Sequence, residues 1–161
     1  MTARMIAELC QNHNGDVGLI KEMVAAAKDS GAHFAKIQTI HSSQLTYRKR
    51  FDEGLIEGGK VKTIKRPFDE EKERLAGIDI SNKEIEVFLE ACKDNKIIPM
   101  TTIFTRDVIN KTFAQGFKNI KLAIFDCNSY PLAKEIIKHK PNLLLVSTGC
   151  SYKYEIEKMA Q

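Results

Sequence analysis

The sequence predicts an α/β chain built on a parallel sheet, and within that class a (β/α)8 barrel of the TIM type, of which the 161 residues supply the first five strand–helix units. Two observations carry the prediction. Five short apolar runs alternate with helical patterns, as parallel strands covered on both faces do. Each run also ends on polar groups: Glu8 before Asn12-His13-Asn14-Gly15, then Gln38-Thr39, Thr101-Thr102, Asp126 and Ser147-Thr148-Gly149. A doubly wound open sheet collects ligand groups at one switch point, whereas a barrel brings the C-terminal end of every strand to one mouth, so five decorated ends favour the barrel.

The strands are expected at 5–8, 34–39, 97–102, 120–126 and 143–147. After the first, Asp16 can cap a helix whose apolar positions Val17, Ile20, Val24 and Ala27 recur at helical spacing until Ser30-Gly31 ends it. Ser81-Asn82-Lys83-Glu84 has the form of a capping box, with Ile85, Phe88, Leu89 and Cys92 as the stripe that follows. A third helix is expected from about Thr105 to Gly116, a fourth with Pro131 in its first turn, and a fifth after Gly149. The connection from His41 to Ile80 is far longer than an ordinary βα loop. It reads as an irregular excursion, either a lid over the mouth or a solvated insertion, with a short helix at 69–74 stapled by Glu70 and Arg74.

Composition narrows the function. With 43% hydrophobic and 29% charged residues the chain is an ordinary globular one. No stretch has the length of a membrane span and no secretory leader is evident, so a cytoplasmic protein without a membrane partner is expected. Cys10, Cys92, Cys127 and Cys150 form no C-x-x-C pair. A net charge of +4 suits small anionic ligands and falls short of a nucleic-acid footprint.

Some residues stand out by type alone. Lys36 and Lys121 lie among apolar residues within strands, where charge is rare, and Glu8 ends a buried strand where an idle carboxylate would be costly. His33, His41 and His139 are read as structural or solvent-facing. Cys127 and Cys150 approach the mouth with no histidine paired to either in sequence, which argues against thiol catalysis.

The blocks Ala7–Gly15, Ala35–Thr39, Thr102–Arg106, Asp126–Pro131 and Ser147–Gly149, in that order, resemble the signature segments of the sialic acid synthases. The resemblance implies condensation of phosphoenolpyruvate with N-acetylmannosamine or a related amino sugar to a nonulosonic acid. It further implies a barrel followed by an antifreeze-like domain, a divalent metal (Mn or Mg), and a dimer in which that small domain is swapped. Residues 1–161 are then an incomplete barrel domain, with the metal ligands, the second half-barrel and the swapped element outside it, and no activity is expected of this piece alone. Carried over position by position, Lys121, Thr102 and Ser147 line the phosphate, Glu8, Lys36 and Asp126 surround the reacting carbons and the sugar, and Phe104 forms a sugar-side wall. Asn12 and His13 belong to the first loop. Three departures stand out: Ile124 where a small serine is common, Asp126 where many members have Glu, and Ile103 where proline is frequent. They leave open a truncated or degenerate relative that serves at most as a binding or interaction piece.

Overall fold

The computed structural model describes residues 3–149 and 151–161. Five parallel strands, β1 (Ile6–Cys10), β2 (Phe34–Gln38), β5 (Ile98–Ile103), β6 (Asn119–Leu122) and β7 (Leu143–Val146), stand side by side in chain order. A doubly wound sheet would reverse its order partway; this one does not, and it is the barrel arrangement. Between the strands run α1 (Val17–Asp29), α4 (Asn82–Asp94), α5 (Ile109–Ala114) and α6 (Tyr130–Lys138), with α7 (Lys153–Met159) after β7.

The helices start and stop where their caps dictate. Asp16 Oδ1 accepts from the amides of Gly18 (2.7 Å) and Leu19 (3.1 Å), satisfying two orphan donors of α1, and Gly31 at φ 82° turns the chain out of it. The Ser81–Glu84 box forms in both directions, at 3.2 Å and 2.6 Å. From these helices Ile20, Val24, Ile85, Phe88, Ile109 and Ile136 bury one stripe each against Ala35, Ile37, Ile103, Ile120 and Leu122 on the outer face of the sheet. Burial also pushes the Cys92 thiol up to about 12, which makes it inert packing.

Register fixes the other face. Glu8 lies opposite Lys36, Lys36 opposite Met100, Gln38 opposite Thr102, Thr102 opposite Lys121, and Lys121 opposite Leu145. Because side chains alternate along a strand, Lys36, Gln38, Thr102 and Lys121 share the inner face, together with buried Phe34 and Met100.

Local expectations needed revision at four places. The fourth strand does not reach Asp126: β6 ends at Leu122, level with the end of β7 at Val146, and without a partner strand Ile124–Asp126 folds into a 3-10 turn closed by Asp126 N–H to Ala123 O at 3.0 Å. The third helix starts at Ile109, because Arg106 and Asp107 form a turn and the Thr105 hydroxyl accepts from Gln44 instead of capping. In the long connection, Arg74 pairs with Glu71 through two bonds of 2.9 and 2.7 Å, and not with Glu70. The same connection is also more regular than expected. It contains α2 (Lys49–Glu53), the antiparallel hairpin of β3 (Leu55–Glu57) and β4 (Lys60–Thr63), and α3 (Phe68–Ala76). Gly58 and Gly59, at φ 55° and 73°, supply the two left-handed residues that a two-residue hairpin turn requires.

The sheet has two open edges. Ile6 on β1 is 37% exposed, and every residue of β7 is only partly buried, whereas four of the five residues of β2 are fully buried. Unpaired strand edges are templates for further pairing. The 161-residue chain is therefore expected to self-associate, giving broad, concentration-dependent elution in size-exclusion chromatography; a sharp monomer peak with a single cooperative thermal transition would contradict this.

Candidate active site

The first polar group of the inner face is the most deeply placed. Lys36 is 2% exposed at the middle of β2, and its ammonium forms an ion pair with Glu8 Oε2 and a hydrogen bond of 3.4 Å to Thr102 Oγ1. An unpaired ammonium at that depth would be strongly unfavourable. Glu8 is held in turn by a bulge. The register slips between Glu8 and Cys10, Cys10 takes a left-handed φ of 58°, and its amide donates to Glu8 Oε1 at 3.1 Å. Both oxygens of the carboxylate are thus engaged, while its side chain remains 40% exposed to the mouth.

Thr102 is 3% exposed and stands directly opposite Lys121. Lys121 is half-buried and, among the described residues, makes no ion pair. Ser147 follows β7 and extends the ladder by one step, its amide donating to Leu122 O at 3.2 Å. Lys36, Thr102 and Lys121 are therefore neighbours across three adjacent strands, with Ser147 at the end of the fourth. Two ammoniums and two hydroxyls at one rim form a surface suited to a small anion bearing several oxygens.

Phe104 follows β5 and is half-buried. Asp126 sits in the 3-10 turn after β6, where burial raises its carboxyl above the usual carboxylate range and the Arg48 charge works in the opposite direction. Ile124, in the same turn, lies across Gly149: a Cβ built on that glycine would come 2.4 Å from Ile124 Cδ1. An aliphatic side chain thus lies against Gly149, while Thr148 and Gly149 remain exposed.

The first loop divides. Asn12 is exposed. His13 is 1% exposed; its Nδ1 accepts the Gly15 amide at 3.1 Å, and its Nε2 has no partner among the described residues. Burial lowers its pKa, and the Glu84 carboxylate at the start of α4 partly offsets the shift. Of the other histidines, His33 Nδ1 accepts the Met5 amide at 3.1 Å and His139 stacks on Phe113 at 4.5 Å. Cys127 is buried, and Cys150 lies outside the described residues.

Two polar groups near the mouth were given no site role from sequence. Gln38 is two residues beyond Lys36 and opposite Thr102, a position that the two-residue period of β2 marks once Lys36 is chosen. Arg48 had no local signal; its charge acts against the burial that raises the Asp126 carboxyl. A groove of about 560 Å³ between His41, Gln44, Thr105 and Lys111 lies beside these groups without including them. The chemistry of the inner face, and not an enclosed cavity, marks the site. Among the described residues no three His, Cys, Asp or Glu side chains cluster as a divalent metal would require.

Residues 23–161 match the NeuB family. The chain belongs to that family. Among curated relatives it is 29% identical over 150 residues to an N,N'-diacetyllegionaminic acid synthase of Legionella pneumophila, covering 92% of this chain and 40% of the relative. It is 28% identical over 164 residues to a pseudaminic acid synthase of Campylobacter jejuni, covering 98% and 44%. The chain thus spans less than half the length of these relatives. A crystal structure of an N-acetylneuraminic acid (sialic acid) synthetase from Leptospira borgpetersenii superposes with a TM-score of 0.79 at 22% identity, covering 99% of this chain and 49% of that one. The five-stranded sheet of this NeuB-family chain matches the N-terminal part of that enzyme's barrel.

The Lys36–Glu8 pair makes an asymmetric prediction. Glu8→Ala leaves a buried ammonium uncompensated and is expected to cost about 3 kcal/mol. Lys36→Met leaves a carboxylate that water can reach and is expected to stay within about 1 kcal/mol of the native chain. Urea denaturation of both variants measures the difference, and equal losses would show that the pair does not govern stability.

His13 gives a pH dependence. Burial lowers its pKa from the ordinary 6.5, with Glu84 partly offsetting the shift. Below pH 6.5 the unfolded chain takes up a proton that the folded one refuses, so stability present above that pH is lost as pH falls through the folded-state value. The urea midpoint should drop between pH 7.5 and pH 5.5, and His13→Gln should drop less; parallel losses would assign the effect to other groups.

Proposed function

We propose that this chain is the first five strand–helix units of a synthase barrel that condenses phosphoenolpyruvate with N-acetylmannosamine or a related N-acylated amino sugar to give a nonulosonic acid. The observation that carries the reading is the line of Lys36, Thr102 and Lys121 across β2, β5 and β6, with Ser147 at the end of β7. Family membership supplies the reaction class, and this line supplies the chemistry that the reaction needs.

In that reaction the enol carbon of phosphoenolpyruvate forms a bond to the sugar aldehyde carbon, and the aldehyde oxygen takes up a proton. Water then adds to the resulting cationic carbon, releasing a proton, and the carbon–oxygen bond to phosphate breaks. Lys121, Thr102 and Ser147 are assigned to the phosphate, where cationic and hydroxyl donors stabilise the departing dianion. Lys36, held by Glu8, is assigned to the carboxylate end, and Glu8 to the reacting carbons through its exposed side. Asp126, whose carboxyl is raised by burial, suits proton delivery to the aldehyde oxygen, and Phe104 the sugar-side wall. His13 and Asn12 support the loop beneath Glu8. The family's divalent metal supplies Lewis-acid activation when bound; no residue of this chain is assigned to it.

One observation favours a second reading, in which the chain is a degenerate relative that binds without catalysing. Ile124 lies against Gly149 and stands where the family resemblance has a small serine, so the hydroxyl that such a serine would offer to the phosphate is replaced by bulk. Losing one charge-assisted donor weakens a phosphate contact by about 1.5–3 kcal/mol.

Joining this chain to the second half of a family member separates the readings. Under the first, the joined protein makes a nonulosonic acid, Lys121→Ala raises the Michaelis constant for phosphoenolpyruvate more than Lys121→Arg does, and Ile124→Ser lowers it. An unchanged constant for Lys121→Ala would place the phosphate elsewhere, and a joined protein that binds but never turns over would establish the second reading.

A further inference from the structure

Two segments leave the sheet side by side and flank a groove outside the assigned site. Gln38 and Thr102 are register partners near the ends of β2 and β5, and the hydroxyls of Thr39 and Thr101 hold the two strands together at 3.2 Å. Three residues further along each chain, His41 and Thr105 line one groove of about 560 Å³, together with Gln44 and Lys111. Three residues span at most about 11 Å, so the groove begins within that reach of Gln38 and Thr102. Its volume falls in the range of about 300–1,000 Å³ that small-molecule sites occupy.

The chemistry of the groove differs from that of the inner face. Its remaining walls are Ser43, Asp107 and Val108, and Val108 is the one apolar side chain among its lining residues. Asp107 and Lys111 are exposed, make no ion pair among the described residues, and cancel in formal charge. An anion gains no net attraction from that pair, whereas the inner face offers it the ammoniums of Lys36 and Lys121. Sugar hydroxyls suit the groove, because each can donate to the Asp107 carboxylate or accept from the Lys111 ammonium. The half-buried part of the wall is fixed in advance. Gln44 Oε1 accepts from His41 N–H at 3.2 Å and Gln44 Nε2 donates to Thr105 Oγ1 at 3.3 Å, so the second amide hydrogen of Gln44 and the hydroxyl hydrogen of Thr105 have no acceptor among the described residues. Ser42 anchors the same wall from behind, its amide and hydroxyl both donating to the Asp79 carboxylate at 2.7 Å.

We propose that this groove is an outer subsite for the polyhydroxylated end of the amino sugar, with Asp107 and Lys111 engaging its hydroxyls and Gln44 and Thr105 donating to them from the wall. The inference rests on the synthase reading above and adds to it specificity-determining residues outside the assigned site. A six-carbon sugar that presents its aldehyde to phosphoenolpyruvate beside Lys36 and Thr102 can extend in the direction in which β2 and β5 run, and that direction leads to His41 and Thr105. The two substrates are thereby sorted by charge, the anion on the inner face and the neutral sugar in the groove.

Equilibrium dialysis of the 161-residue chain at pH 8 against radiolabelled N-acetylmannosamine, with and without phosphoenolpyruvate, tests the subsite, and calorimetric titration with phosphoenolpyruvate alone is run on the same variants. Asp107→Asn and Lys111→Met change exposed side chains, and thermal unfolding curves that match the native one certify their fold. Each is expected to weaken sugar binding about tenfold and to leave phosphoenolpyruvate affinity within about twofold of native. Lys118→Gln, which changes a cation lying over the Phe113 ring at the other end of β6, should match the native chain in both measurements. Sugar affinity should also hold within about twofold between 50 mM and 500 mM NaCl, because the ligand carries no charge to screen. Saturable sugar binding that neither groove variant weakens beyond about twofold would overturn the subsite while sparing the synthase reading. Groove variants that weaken phosphoenolpyruvate and not the sugar would make the groove an anion site and overturn the subsite as well. Absence of saturable sugar binding to the native chain under both conditions would overturn it too, and only if phosphoenolpyruvate also failed to bind would the synthase reading fall with it.

Discussion

The ammonium of Lys36 sets the conditions that the rest of the site must meet. A lysine 2% exposed within a sheet needs an anionic partner at contact distance, and β1 can provide one only if its register places Glu8 opposite Lys36. Directly after that pair the bulge at Leu9 and Cys10 turns the Cys10 amide back onto the carboxylate and sends the chain into the Asn12–Gly15 loop. The same ammonium reaches Thr102, and so ties β2 to β5 on the inner face just as the hydroxyls of Thr39 and Thr101 tie them on the outer one, at 3.2 Å. One buried charge thus links three strands and the first loop into a single polar unit.

The two faces of the sheet divide the labour of stability and chemistry. The outer face is apolar, and the helices close over it with Phe88 and Phe117 stacked at 6.1 Å. The inner face mixes Phe34 and Met100 with Lys36, Thr102 and Lys121, a composition that packing alone would not select. Asn119 opens β6 and Lys36 stands at the middle of β2, while Thr102 and Lys121 carry the polar line toward the C-terminal ends of the strands, where barrel chemistry is assembled.

Above that rim, the long connection is held by side-chain bonds at its base and inside itself more than by an apolar core. Ile56 and Val61, opposite each other in the hairpin, are 70% and 64% exposed, and a two-stranded hairpin of this kind is marginal in isolation. Ser42 on Asp79 and Gln44 on Thr105 are what keep it in place. The connection is consequently positioned at its ends while its basic side chains remain in solvent.

The sequence alone determined what depends on neighbours a few residues away. The Asp16 cap, the Ser81–Glu84 box, the Pro131 start of α6 and the five strands follow from side chains that satisfy nearby backbone groups or repeat with a fixed period, and the ordered blocks carried the family. The tertiary structure decided whatever depends on partners distant along the chain. Leu122 ends its strand because β7 stops beside it; the His13 ring is buried although its neighbours Asn12 and Asn14 are exposed; Ile124 meets Gly149 across two loops; and Gln44 meets Thr105 only once the long connection has folded back on the rim. Local patterns specify which groups a strand or helix offers, but strand register and loop closure select which of those groups meet, and no short window of sequence contains that choice.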